Sequence, residues 1–271
     1  MAIYPTFPGG KRKAFTLSYD DGWSQDRHLI SLMNQYGIKG TFNLNSGNIL
    51  FDEMKNPTKI YKGHEVAVHG LTHAYLDRIE PQNITYEIMK DRENLEKVFG
   101  GSVRGFAYAH NKYNETTIQI LKNCGIKYAR TATLTETFSL PSDWYQLNPT
   151  CEDGNPKLLE LCDTFLKIRP DFAQSNLFYI YGHSLFTDRR NHWGILEELF
   201  EKISGRDDVW CATNIEICDY MSAFHSLVMS VDSKYIYNPT VITISLIHNS
   251  GDFANRAVEF EIKPGEEIYL R

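Results

Sequence analysis

The sequence predicts an α/β fold: a barrel of seven or eight βα units, complete or not, with a small antiparallel β appendage at its C-terminal end. Three observations predict it. Short apolar runs rich in aromatic and β-branched residues alternate with segments whose apolar residues recur at helical spacing. That order is the signature of parallel βα units. Beyond about residue 224 helical spacing gives way to strand-like alternation broken by turn residues. The 271 residues, 42% hydrophobic and 23% charged, suffice for one large domain with a full core.

The elements follow in order. Ala14-Phe15-Thr16-Leu17 reads as a buried strand running into Ser18-Tyr19-Asp20-Asp21-Gly22. Gln25 to Tyr36 carries Leu29, Ile30, Leu32 and Met33 at helical spacing, and Gly37 supplies the stop. Gly40 to Leu44 is a strand, Ser46 to Lys62 a loop region with room for a short helix, and Glu65 to Val68 a strand running into His69. Pro81 opens a helix to Phe99, with Ile84, Ile88, Leu95 and Val98 on one face, and Gly100-Gly101 closes it. Val103 to Tyr108 is a strand, Thr116 to Cys124 a helix, Ile126 to Arg130 a strand and Trp144 to Leu147 a sixth strand. Leu158 to Leu166 is helical, Leu177 to Tyr181 is a buried strand ending at Gly182-His183, and Trp193 to Ile203 is a helix. Val209 to Ala212 closes the set, with a helix from Asn214 to Ala223. The division expected is 1–223 for the barrel and 224–271 for the appendage. The appendage strands are Val241 to Ile247, Ala257 to Ile262 and Ile268 to Leu270, with turns at Asn249 to Asp252 and at Pro264-Gly265.

A net charge of −6 without a basic cluster argues against a nucleic-acid partner. No run approaches the roughly 18–20 apolar residues of a membrane span. The first residues, Met1-Ala2-Ile3-Tyr4-Pro5, carry no basic-then-apolar leader pattern, so a cytoplasmic location is expected. Five cysteines with no CxxC pair fit a reducing compartment. Oligomeric state is not legible.

In barrels of βα units chemistry gathers at the C-terminal ends of the strands. Asp20-Asp21, His69 and His183 all fall at such ends. Alone, each has an ordinary structural reading. Asp-Asp-Gly is the composition of a turn, an HxxxH spacing arises by chance, and a histidine after a strand caps or hydrogen-bonds. Together they read differently. In a helical turn His69 and His73 share a face. Two imidazoles and one carboxylate form a three-donor set that leaves a position open, as catalytic zinc sites do. A histidine beside such a site can give or take a proton near neutrality, which suits His183 to acid work.

These motifs resemble those of the polysaccharide deacetylase family (the NodB-homology domain, carbohydrate esterase family 4) over roughly residues 10–222. The resemblance implies a deformed (β/α) barrel and metal-dependent removal of acetyl groups from sugars. Ser18-Tyr19-Asp20-Asp21-Gly22 matches the first motif and implies Asp20 as general base and Asp21 as metal ligand. His69-Gly70-Leu71-Thr72-His73 matches the second and implies both histidines as ligands, with Gly70 standing where a loop-bracing hydroxyl residue is usual. Phe106-Ala107-Tyr108-Ala109-His110-Asn111 departs from the third motif, which ends in Pro-Tyr-Gly. By resemblance Tyr108 lines the substrate groove and a backbone N–H near it serves the oxyanion. His110 either replaces a polar contact or is simply exposed. Arg104 lies near this motif, out of register. Asp143-Trp144 matches the fourth, implying a carboxylate that orients the catalytic histidine and an aromatic groove wall; a turn Asp after Pro141 is the plain alternative. Tyr179-Ile180-Tyr181-Gly182-His183 matches the fifth and implies His183 as general acid.

The activity so implied is hydrolysis of an N-acetylated or O-acetylated sugar or polysaccharide by water activated at a divalent ion, zinc by its donor set. Asp20 takes a proton and His183 gives one. Two alternatives stay open: a same-fold amidohydrolase acting on a small non-glycan amide, and a degenerate, non-catalytic glycan-binding protein.

Overall fold

The computed structural model describes residues 2–52, 54–171, 173–249 and 257–270. Its strands are β1 Ala2–Pro5, β2 Lys13–Asp20, β3 Thr41–Leu44, β4 Glu65–Val68, β5 Gly105–Ala107, β6 Tyr128–Arg130, β7 Cys151–Glu152, β8 Asn176–Gly182, β9 Val209–Cys211, β10 Val228–Met229, β11 Tyr235–Tyr237, β12 Ile244–Asn249, β13 Val258–Ile262 and β14 Glu267–Tyr269. Seven parallel strands run in the order β6-β5-β4-β3-β2-β8-β7, and β9 adds to β2 as an eighth. The sheet is the curled, deformed barrel expected.

Its seam explains the deformation. Leu147 bridges Arg130 at the end of β6, and four residues later Cys151 pairs with Ile180 of β8. One irregular segment therefore spans the gap between the outermost strands. The strand expected at Trp144 to Leu147 is instead a 3₁₀ turn, Trp144–Gln146. The Asp143 carboxylate accepts from Tyr145 N (2.9 Å), and this local bond competes successfully with a ladder. The sixth strand of the chain's barrel order is displaced to Cys151–Glu152.

β2 is buried along all eight residues. Its alternation sorts the two layers. Phe15, Leu17 and Tyr19 join the main core with Leu29, Met33, Ile88, Leu95 and Phe200 from the surrounding helices. Thr16, Ser18 and Asp20 face the other way. There Thr16 donates to Asn214 Oδ1 (2.9 Å) and Ser18 meets Tyr179 OH (2.8 Å). Asp20 is thus the last rung of a polar stripe that climbs to the C-terminal rim. The region expected as loop holds two short helices, Ile49–Asp52 and Pro57–Ile60. The helix Pro81–Phe99 has its expected bounds.

Two three-stranded antiparallel sheets, β1-β12-β13 and β10-β11-β14, form the remaining unit. β1 enters it from the start of the chain, with Ala2 opposite Asn249. A second apolar cluster ties Ile236, Ile244, Leu246 and Ile262 to the helix Asn214–His225 and to Ala14 and Tyr179 of the barrel. Ser250 to Asp252 of the expected turn lie outside the described residues. Among the described residues no helix is long and apolar enough to cross a membrane.

Candidate active site

Five side chains meet at the C-terminal rim. β2 delivers Asp20 and, one residue on, Asp21, whose φ of +75° is followed by Gly22 at +72°. Two successive left-handed residues reverse the chain at once; Gly and Asp tolerate this region better than bulkier residues. Neighbouring carboxylates consequently face different partners. Asp21 Oδ1 lies 3.7 Å from His69 Nε2 and 3.6 Å from His73 Nε2. Its other oxygen accepts from the Trp23 indole N–H (3.2 Å). His183 Nε2 stands 3.8 Å from carboxylate oxygens of both Asp20 and Asp21.

The segment between His69 and His73 is not helical. Gly70 and His73 both have positive φ (+85° and +60°), and the loop folds back so that the two rings lie 4.8 Å apart. Gly47 packs beneath it: a Cβ there would fall 2.5 Å from Leu71 O, so this backbone approach needs glycine. His69 is buried, and its Nδ1 bonds Ala107 O (2.8 Å), which leaves Nε2 with a lone pair aimed at Asp21. Burial lowers the His69 pKa against the pull of Asp20 and Asp21, which favours the neutral, ligating form.

The donor set fits a divalent cation. Asp21, His69 and His73 each offer one atom, all within 4.8 Å of one another. Donors around a tetrahedral ion with bonds of about 2.0–2.1 Å sit about 3.4 Å apart, close to the separations found here.

Asp20 has a different environment. Arg130 Nη2 donates to both of its oxygens, and Asn43 Nδ2 donates to Oδ1 at 2.8 Å. Burial alone would raise its pKa, but Arg130, His69 and His183 override this and hold the carboxyl far below the usual range. The Arg130 guanidinium also lies over the Tyr181 ring (4.9 Å). Arg130 escaped the sequence reading, although a signal existed. It closes a strand at the same rim, as Asp20 does.

Other expected residues lie elsewhere. Arg104 precedes β5, at the opposite end of that strand, and forms a fork with Asp219 (2.8 and 2.7 Å). Asp143 bonds only its neighbours Tyr145 N and Gln146 Nε2 among the described residues, and Trp144 packs on the second apolar cluster. Tyr108 is buried, stacks on Tyr113 (4.1 Å) and donates to Tyr145 O; its backbone N–H is spent on Arg130 O (3.0 Å) and cannot serve an oxyanion. His110 does reach the cluster. It lies 4.2 Å from the His73 ring and stacks flat on Tyr75 at 4.0 Å, with Arg78 over that tyrosine.

The buried carboxylates beside the His183 segment are Asp153 and Asp26. Asp153 sits so close to Gly182 that a Cβ there would fall 2.5 Å from its carboxyl carbon, and it accepts from Thr187 Oγ1 (2.5 Å). Asp26 accepts from Ser184 Oγ (2.5 Å) and Tyr61 OH (2.7 Å), and burial pushes its pKa up to about 7.

Comparison with known proteins gives a partial match in sequence and a match in fold. Residues 8–129 match the polysaccharide deacetylase family model. The uncharacterised protein YlxY of Bacillus subtilis is 24% identical over 119 residues, 44% of this chain; the match spans 37% of that relative. A candidate polysaccharide deacetylase from Mycobacterium smegmatis has the same fold, with a TM-score of 0.62 and 18% identity, over 82% of this chain and 94% of its own. A carbohydrate esterase family 4 pseudoenzyme from Bacillus anthracis aligns with a TM-score of 0.50 and 16% identity, over 80% of this chain and 68% of its own. The family model matches part of the chain, and the fold is shared with a candidate deacetylase and with a pseudoenzyme alike.

Proposed function

We propose that this chain, related to the polysaccharide deacetylases by pattern and by fold, is a metal-dependent hydrolase that removes acetyl groups from an N-acetylated or O-acetylated sugar or glycan. The observation that carries the reading is the meeting of Asp21, His69 and His73 within ligating reach, with Asp20 and His183 beside them. A divalent ion held there, zinc by its donor set, supplies Lewis-acid polarisation of an acyl carbonyl and acidity to a nearby water. Asp21 turns one oxygen to the histidines because Trp23 holds the other. His69 presents Nε2 because Ala107 O takes the Nδ1 proton. Asp20, ionised and pinned by Arg130, is the acceptor for the proton of the attacking water. His183, reached from both carboxylates, is the donor to the departing amine or alcohol.

The test is acetate release from acetylated mono- and oligosaccharides, with metal content measured on the same preparation. A stoichiometric ion with acetate release is expected. Metal without acetate release from any sugar would move the reading to a small non-glycan amide. Absence of metal at saturating Zn²⁺ would leave a non-catalytic glycan-binding protein, a reading favoured by the displacement of Asp143, Trp144 and Arg104 from the cluster.

A further inference from the structure

We propose that Glu87, with Asp91 one turn later, is a positioning residue that holds the His69–His73 loop in its ligating shape. The proposal rests on the metal-centre reading above. The helix Pro81–Phe99 turns Ile84, Ile88 and Leu95 inward, yet sets Glu87 and Asp91 among them, 8% and 0% exposed. Inward carboxylates are costly unless their oxygens are satisfied. Among the described residues neither has an ion-pair partner. Both are spent on the strand-end loops instead.

Three donors of the histidine loop converge on Glu87. Leu71 N reaches its main-chain oxygen (3.1 Å), Thr72 N its Oε2 (2.8 Å) and Thr72 Oγ1 its Oε1 (2.7 Å). Asp91 accepts from His69 N (3.1 Å) and from Ser46 N (2.7 Å), so one carboxylate fixes the exits of β3 and β4 together. Asn45 Nδ2 donates to His69 O (2.8 Å) and Gly70 O (2.7 Å). The loop needs such anchorage, because His73 is held at positive φ and non-glycine residues there relax when released. The brace expected from a hydroxyl at position 70 is thus supplied by Glu87 through Thr72. The glycine at position 70 suits the loop through its backbone, since its φ of +85° lies where side chains are disfavoured.

The experiment compares wild type, Glu87→Ala and Glu87→Gln for Zn²⁺ affinity by competition with a chromophoric chelator, with circular dichroism to establish folding. The Gln amide can accept from Thr72 N and donate to Thr72 Oγ1. Glu87→Ala should weaken affinity about 10-fold or more, and Glu87→Gln should restore it to within about threefold. Amide exchange in the metal-free protein reads the anchor directly: Thr72, whose N–H loses its acceptor, should lose protection in Glu87→Ala, while Leu71 keeps the main-chain oxygen of residue 87. Equal Zn²⁺ affinity and equal protection in a folded Glu87→Ala protein would overturn the proposal. If Glu87→Ala does not fold, Thr72→Val removes the hydroxyl donor with the carboxylate in place; it should weaken Zn²⁺ affinity, and unchanged affinity there overturns the proposal. A wild type that takes up no Zn²⁺ overturns the metal-centre reading, while lost protection in Glu87→Ala would still support the brace.

Discussion

Replacing Arg130 by Met should be among the costliest single changes available in this chain. The guanidinium is 1% exposed and its partner carboxylate 4%, so neither charge has water to fall back on. Without Arg130, Asp20 keeps only the Asn43 hydrogen bond and two imidazoles 3.8–3.9 Å away. Removing one member of a buried pair costs about 3–5 kcal/mol, because the other charge is stranded. For a chain of this size that is a fall of about 10 °C in Tm. Asp20→Asn should be costly for the mirror reason, since it strands the cation. The double variant Asp20→Asn/Arg130→Met leaves neither charge of this pair and should recover about 2–4 kcal/mol relative to the sum of the singles. Urea denaturation of all four proteins, with chelator present, measures the cycle. Additive single effects, or an Arg130→Met cost below about 1 kcal/mol, would refute the account of Asp20 as a carboxylate held ionised by its partner.

Asp26 should make stability fall with rising pH. Its folded pKa of about 7 lies above the unfolded value of about 3.9. Between the two the native state binds the extra proton, so the contribution is complete below about pH 4 and lost as pH climbs through about 7. Chemical denaturation across that window should show Asp26→Asn with a flatter profile than wild type; parallel profiles would contradict the burial argument. His183→Ala should slow N-deacetylation more than O-deacetylation, since an amide nitrogen leaves only when protonated; a loss of about 10²–10⁴ on the amide is expected from initial rates, and equal losses on both would remove the acid role. Arg104→Ala and Asp143→Ala should each leave sugar hydrolysis within about twofold of wild type, their bonds lying away from the cluster and worth only surface-scale energies. A change in the pH–rate profile of Asp143→Ala would restore the orienting role suggested by its motif.

The strands and helices of the barrel were legible because their signals are local. β4 and the helices Pro81–Phe99 and Trp193–Ile203 follow from apolar spacing and flanking Gly or Pro. The five clustered residues were legible because rim position and residue type coincide. What escaped was set by distant partners. Spacing alone made His69–His73 resemble a helical turn, while hydrogen bonds accepted by Glu87 and donated by Asn45 fold it into a loop. Asp143-Trp144 matches a motif in letters, but a turn formed by Asp143 itself draws it aside, and Asp153 sits by His183. Arg130 was read as the end of a strand, and nothing local marks it as the partner of a residue 110 positions earlier.

Because β1 pairs with β12, a strand far along the sequence, it stays unpaired until that strand is available. A ribosome-bound nascent chain therefore carries an open strand edge until β12 has emerged, and such an edge invites pairing with strangers. Pairing of β1 with β12 closes that edge only after the barrel between them has been made.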